Sequence, residues 1–123
     1  MDSNTTFDEI KQLINDFDDE RDWHQYHHPK ELAISISLES AELLEHFQWV
    51  DKLPIESIKS DKDLMKKIRD ELADVIVYSL NFANQLDIDV SNAIISKLEK
   101  NALKYPVELA KGKSEKYTEY VEG

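Results

Sequence analysis

Apolar residues recur along this chain every third or fourth position, the rhythm of a helix, and no stretch alternates as a strand would. Phe7, Ile10, Leu13, Ile14 and Phe17 fall on one helical face. Thr6-Phe-Asp-Glu9 reads as a capping box, so a first helix is predicted from there to about Glu20. The loop Arg21-Asp-Trp-His-Gln-Tyr-His-His28 follows, rich in aromatic and imidazole groups. Pro29 suits the first turn of a second helix, predicted to run to about Trp49, where Asp51-Lys-Leu-Pro54 stops it. Ser60-Asp-Lys-Asp63 is a second capping signature and opens a third helix to about Leu86, with a stripe of Leu64, Ile68, Val75, Ser79, Phe82 and Leu86. Asp89 caps a fourth helix, Val90 to about Lys104, which Pro106 ends. The expectation is an all-α, four-helix-bundle-like chain: one domain over 1–110 and a polar C-terminal tail over 111–123.

Two of these stripes carry a carboxylate where a core residue belongs. On the second helix the sequence of positions is Leu32, Ile36, Glu39, Leu43, Phe47; on the third it is Leu64, Ile68, Glu71, Val75, Phe82. Three residues beyond each stands another acid, Glu42 and Asp74. Positions i and i+3 share a helical face, so each helix presents two carboxylates side by side. An unpaired buried carboxylate is costly, and four facing one another resist joint ionisation. A cation between the helices resolves the conflict. With only oxygen ligands on offer, a hard ion is expected, Mg²⁺ or Mn²⁺, held by Glu39, Glu42, Glu71 and Asp74. The chain has 26 acids in 123 residues, so an acid pair alone is usually solvated helix surface; the interruption of two apolar stripes is what singles these out. A ferritin-like di-iron centre needs Glu-x-x-His, and neither pair has His at that position.

Charge narrows the partners. A net charge of −11 argues against a nucleic acid polymer and against an anionic membrane surface. No apolar run approaches the ~20 residues of a membrane span. The polar, acidic start is no signal peptide, so a cytoplasmic location is expected. Without cysteine there are no thiolate metal sites and no disulfides. A phosphorylated small molecule still fits, provided metal ions reverse the local sign.

Three further features bear on chemistry. Trp23 and Trp49 flank the second helix; they are either ordinary interface aromatics or, beside a metal–phosphate site, platforms for a planar base. His24, His27 and His28 form a loop cluster, and such clusters are more often solvated than metal-bound. Lys97, Asn101 and Lys104 share a face of the fourth helix, as a solvated basic stripe or as phosphate contacts.

Four segments then resemble a known family: Glu-Arg-Asp-Trp23 with Tyr-His-His-Pro29, Leu38-Glu-Ser-Ala-Glu-Leu-Leu-Glu-His-Phe-Gln-Trp49, Asp70-Glu-Leu-Ala-Asp-Val-Ile-Val-Tyr78, and Lys-Leu-Glu-Lys-Asn-Ala-Leu-Lys-Tyr-Pro106. In order and spacing they resemble the MazG-like, all-α nucleoside triphosphate pyrophosphatases, most of all the dCTP-pyrophosphatase-like branch, over about residues 7 to 118. The resemblance implies hydrolysis of a nucleoside triphosphate between the α and β phosphorus, giving monophosphate and pyrophosphate. It implies Mg²⁺ on Glu39, Glu42, Glu71 and Asp74, and Trp23, His27, Trp49 and Tyr78 around base and sugar. The position before the first motif is Leu38, as in the dCTP-directed branch, while Ile14 stands where some dCTP enzymes have a substrate-contacting histidine. Either Glu39 or Glu42 is expected to orient the attacking water. A house-cleaning pyrophosphatase acting on dCTP or modified deoxynucleotides is one reading. A non-catalytic helical module, holding a structural metal or a protein partner, is the other. Apolar residues on more than one face of the second and third helices predict a homodimer or homotetramer.

Overall fold

The computed structural model describes residues 1–49 and 51–113, and every regular element among them is helical. Six α-helices follow in order: α1 (Phe7–Arg21), α2 (Pro29–Glu45), α3 (Ile55–Ser60), α4 (Lys62–Gln85), α5 (Val90–Lys104) and α6 (Val107–Ala110). A 3-10 turn, His24–Tyr26, lies between α1 and α2. The chain divides into two compact units, Met1–Ile88 and Asp89 onward, each described by itself.

The helix starts follow from local chemistry. Thr6, Asp61 and Asp89 each turn a side-chain oxygen back to accept from a backbone N–H in the first turn: Glu9 at 3.2 Å, Leu64 at 3.1 Å and Asn92 at 2.8 Å. His28 does the same with Nδ1 toward Lys30 N–H at 3.1 Å, directly ahead of Pro29. The four long helices are therefore those the periodicity predicts. Two short helices are added. α3 and α6 have six and four residues, too few to display a helical period, and each starts after a proline in extended conformation.

The second helix ends earlier than predicted, at Glu45 rather than near Trp49. Past it, the His46 and Phe47 N–H groups bond to Leu43 and Leu44 carbonyls, so the last turn tightens to i→i+3 spacing. His46, Phe47 and Trp49 are only middling helix formers, and Trp49 is 87 % exposed, so its packing does not hold a further turn. The predicted tail over 111–123 lies mostly outside the described residues.

In the first unit α2 packs chiefly on α4, with α1 and α3 also laid against α4. Leu32, Leu80, Ile14 and Ala83 make the buried apolar centre, Leu32 at 1 % exposure. Much apolar surface stays in solvent. Leu38 and Leu44 of α2, Leu72, Ile76 and Val77 of α4, and Leu13 and Phe17 of α1 are all exposed. Only Ile14 of the predicted five-residue face on α1 is buried.

Candidate active site

The α2–α4 pairing brings Glu39 and Glu42 opposite Glu71. One oxygen from each lies within 4.8 Å of the others, close enough to share one cation. Glu39 Oε2 and Glu71 Oε2 are buried and accept no hydrogen bond. Orphaned buried carboxylate oxygens are rare in folded proteins unless an ion or water completes them. Withdrawal from water, foremost, and then the Glu42 carboxyl and the Asp74 charge push Glu39 up to about 7. Glu71 is also raised, by burial first and then by Glu42 and Asp74. Crowded like charges, oxygen-only donors and two unfilled buried oxygens together fit a hard divalent cation.

Asp74 stands apart from this triad. It is exposed and outside the 4.8 Å set, although its charge bears on both raised glutamates. It lines instead a neighbouring cavity of about 490 Å³. One wall of that cavity is apolar, made by Ile10, Leu13, Ile14, Phe17, Trp23 and Val77; the rest is Asp18, His27, Tyr78 and Asn81 with Asp74. Tyr78 ties cavity to cluster: its phenol is raised by burial first, then by the charges of Glu39, Asp74, Asp18 and Glu42.

The end of α1 explains how Trp23 and His27 reach this cavity. Asp22 adopts the left-handed conformation at φ 53°, which Asp tolerates better than most residues. Asp22 N–H then bonds to Asp19 O and Trp23 N–H to Asp18 O at 3.0 Å, the paired bonds of a Schellman turn. The chain folds back across the last turn of α1. Trp23 meets Phe17 edge-on at 5.6 Å and His27 at 6.4 Å, and the Arg21 guanidinium lies over the Phe17 ring, 3.7 Å from its centroid.

Not every expected residue is gathered. Trp49 lies in the turn past α2 and does not line the cavity. Lys97, Asn101 and Lys104 belong to α5, in the second unit. Asp18 and Asn81 were missed. Each interrupts an apolar stripe, Asp18 one turn after Ile14 and Asn81 beside Leu80 and Phe82, which is the signal that exposed Glu39 and Glu71. Asp18 was hidden in the acidic run Asp16 to Glu20.

An all-helical protein with a crowded carboxylate cluster beside a largely apolar cavity is the class that fold and site define. Comparison with known proteins makes it specific. Residues 34–120 match the model of the MazG-like family. The chain is 36 % identical over 119 residues to dCTP pyrophosphatase 1 of Rattus norvegicus, covering 96 % of this chain and 69 % of that protein. The human dCTP pyrophosphatase 1 matches to the same extent, 36 % over 119 residues. A pyrophosphatase from Archaeoglobus fulgidus, known from its crystal structure, superposes with a TM-score of 0.72 at 39 % identity, over 80 % of this chain and 91 % of that one. The chain belongs to the MazG-like family.

Proposed function

We propose that the protein is a Mg²⁺-dependent nucleoside triphosphate pyrophosphohydrolase that converts dCTP or related modified deoxynucleotides to the monophosphate and pyrophosphate, as a nucleotide-pool house-cleaning enzyme. The observation that carries this reading is the juxtaposition of the Glu39–Glu42–Glu71 cluster with the cavity that Asp74 and Tyr78 also line. Relatives named for dCTP pyrophosphohydrolysis support the substrate class. Glu39, Glu42, Glu71 and Asp74 hold Mg²⁺, with Mn²⁺ as a substitute. Bound there, the ion supplies charge neutralisation for the triphosphate and polarises its phosphoryl oxygens.

The remaining work falls to the chain's own side chains. Trp23 and the apolar wall take the faces of the base and keep water from them. His27 and Tyr78 supply polar contacts to base and sugar, and Trp49 a further stacking surface. Lys97, Asn101 and Lys104 meet phosphate oxygens. Glu39 or Glu42 orients the attacking water. The whole of 1–110 is proposed to act as one domain, assembled as a homodimer or homotetramer that covers the apolar surface left exposed on α2 and α4. The protein is proposed to work in the cytoplasm, without nucleic acid polymer or membrane as partner; among the described residues no helix is long and apolar enough to cross a bilayer.

The direct test is pyrophosphate release from a panel of ribo- and deoxynucleoside triphosphates, with Mg²⁺ and with chelator. Mg²⁺-dependent release of pyrophosphate, fastest with dCTP or a modified deoxynucleotide, is expected. Absence of release from every triphosphate would leave a metal-binding or interaction module instead.

A further inference from the structure

The acid-bearing face of α4 continues past its carboxylates to a single cation. An α-helix turns about 100° per residue, so Lys67 lies about 40° around α4 from Glu71 and about 20° from Asp74. With a rise of about 1.5 Å per residue, it stands about 6 Å along the axis from Glu71, on the side away from Tyr78 and Asn81. The other cations of α4, Lys62, Lys66 and Arg69, lie more than about 130° from Glu71 on the same count. Nearby helices offer no substitute. Lys30 is the one cation of α2 and sits about 180° from Glu39. On α1, Lys11 Nζ donates to the Ile88 carbonyl at 2.6 Å, and Arg21 lies over the Phe17 ring. Lys67 is exposed, and its side chain makes no hydrogen bond or ion pair among the described residues. Asp63 and Glu71 stand four residues to either side, within reach of a helical pair, yet Lys67 joins neither.

We propose that Lys67 Nζ is the cation that holds the β and γ phosphate oxygens of the bound triphosphate, and the pyrophosphate formed from them. The order of residues along α4 carries the argument. Asn81, Tyr78 and Asp74 line the cavity. Glu71 comes next and meets Glu39 and Glu42. Lys67 follows one turn further on the same face. A nucleotide with its base in the cavity and its α phosphate at the carboxylate cluster runs its outer phosphates toward Lys67. Charge demands such a partner, because one divalent ion does not balance a crowded carboxylate cluster and a triphosphate together. An ammonium suits the place. It is a compact point charge with three donors on a flexible stem, so it can follow the pyrophosphate as that group departs. A lysine that merely solvates the helix would show no preference for phosphate.

The inference rests on the nucleotide reading of the site, so its test uses probes that need no nucleotide. Calorimetry measures the affinity for inorganic pyrophosphate in the presence of Mg²⁺, and for Mg²⁺ alone. Lys67→Met should weaken pyrophosphate binding about tenfold or more, the loss of one charge-assisted contact. Its affinity for Mg²⁺ alone should stay within about twofold or tighten, because a like charge has left the neighbourhood of the metal. These opposite signs separate a phosphate contact from a structural role, which would weaken both ligands together. Lys67→Arg keeps the charge and should recover most of the pyrophosphate affinity. Lys66→Met removes an equal charge from the opposite face and should change neither affinity by more than about twofold. A parallel loss of both ligands in Lys67→Met overturns the proposal. So does an unchanged pyrophosphate affinity, an equal loss in Lys66→Met, no recovery in Lys67→Arg, or no pyrophosphate binding by the wild-type protein. Pyrophosphate release from dCTP by the wild-type protein, with unchanged pyrophosphate affinity in Lys67→Met, would sink this inference and leave the hydrolase reading standing. Lys67-dependent pyrophosphate binding without release from any triphosphate would do the reverse.

Discussion

Protons and a divalent cation compete for the same oxygens at the Glu39–Glu42–Glu71 cluster, and the competition has a calculable pH dependence. Glu39 is raised from 4.5 to about 7 in the folded, metal-free protein. The folded state therefore keeps a proton that the unfolded chain has released between those values. That contribution to stability is complete below about pH 4.5 and is lost as pH rises through about 7. Glu71 shifts in the same direction and adds to the trend. Metal binding requires the deprotonated cluster, so its pH dependence runs the other way. For one displaced proton, apparent affinity is reduced by a factor of 1 + 10^(pKa − pH): about 1.1 at pH 8, about 11 at pH 6 and about 100 at pH 5. Mg²⁺ or Mn²⁺ titrations by calorimetry should thus weaken about tenfold between pH 8 and pH 6. Thermal scans give the complementary sign. With chelator, the contribution of this cluster should make the melting temperature fall as pH rises from 5 to 8. At pH 8, cation at a hundred times its dissociation constant should add about 2.7 kcal/mol of stability. At pH 5 the same concentration should add much less. Glu39→Gln removes the titrating group and should flatten the chelator curve. An affinity that does not change with pH, or a Glu39→Gln curve that keeps the wild-type slope, would refute the reasoning.

How far the sequence reveals this molecule depends on what each feature requires. Long amphipathic helices announce themselves, because a period of 3.6 sustained over α1, α2, α4 and α5 cannot be mistaken for another element. Their starts are equally legible, since Thr6, Asp61 and Asp89 cap by purely local bonds. The end of α2 is not legible, because it depends on whether tertiary packing covers His46 to Trp49, and none does for Trp49. Glu39 and Glu71 are legible as violations of an otherwise apolar stripe, and their approach confirms that such a violation has a structural cause. Glu42 follows from them by i+3 spacing. Asp74 obeys the same spacing yet faces the cavity, because α4 turns it past the triad; spacing gives a face of a helix, not a distance across two. Asp18, His27 and Asn81 come from three elements separated by up to 63 residues. Their meeting depends on the reversal at Asp22, a positive-φ residue that no hydrophobic pattern encodes.

Three further outcomes are expected. Glu71→Gln or Asp74→Asn should abolish pyrophosphate release while the helical circular dichroism survives, since each removes one negative charge from a crowded site; near wild-type turnover in either would sink the assignment. Trp49→Ala should weaken nucleotide binding by ~1–3 kcal/mol, in line with base stacking on aromatics, and an unchanged affinity would return Trp49 to an interface role. The last concerns Asp18 and Asn81 as a folding pair. Asn81→Leu removes the 2.7 Å bond to a carboxylate that is 2 % exposed and leaves it with His27 as the other partner. A hydrogen bond to a charged group contributes about 1.5–3 kcal/mol, and leaving a buried charge short of partners costs about as much again at most, so a loss of about 2–4 kcal/mol is expected in urea denaturation. Asp18→Leu should cost less than that. It removes the charge itself and leaves only neutral Asn81 and His27 N–H groups to find other partners. The double variant should then be far more stable than the two single losses added together, because neither partner remains to be stranded. A coupling of at least about 1.5 kcal/mol is the expected result. Additive losses would mean that the short distance carries no energy, and that Asp18 is held in place by something other than Asn81.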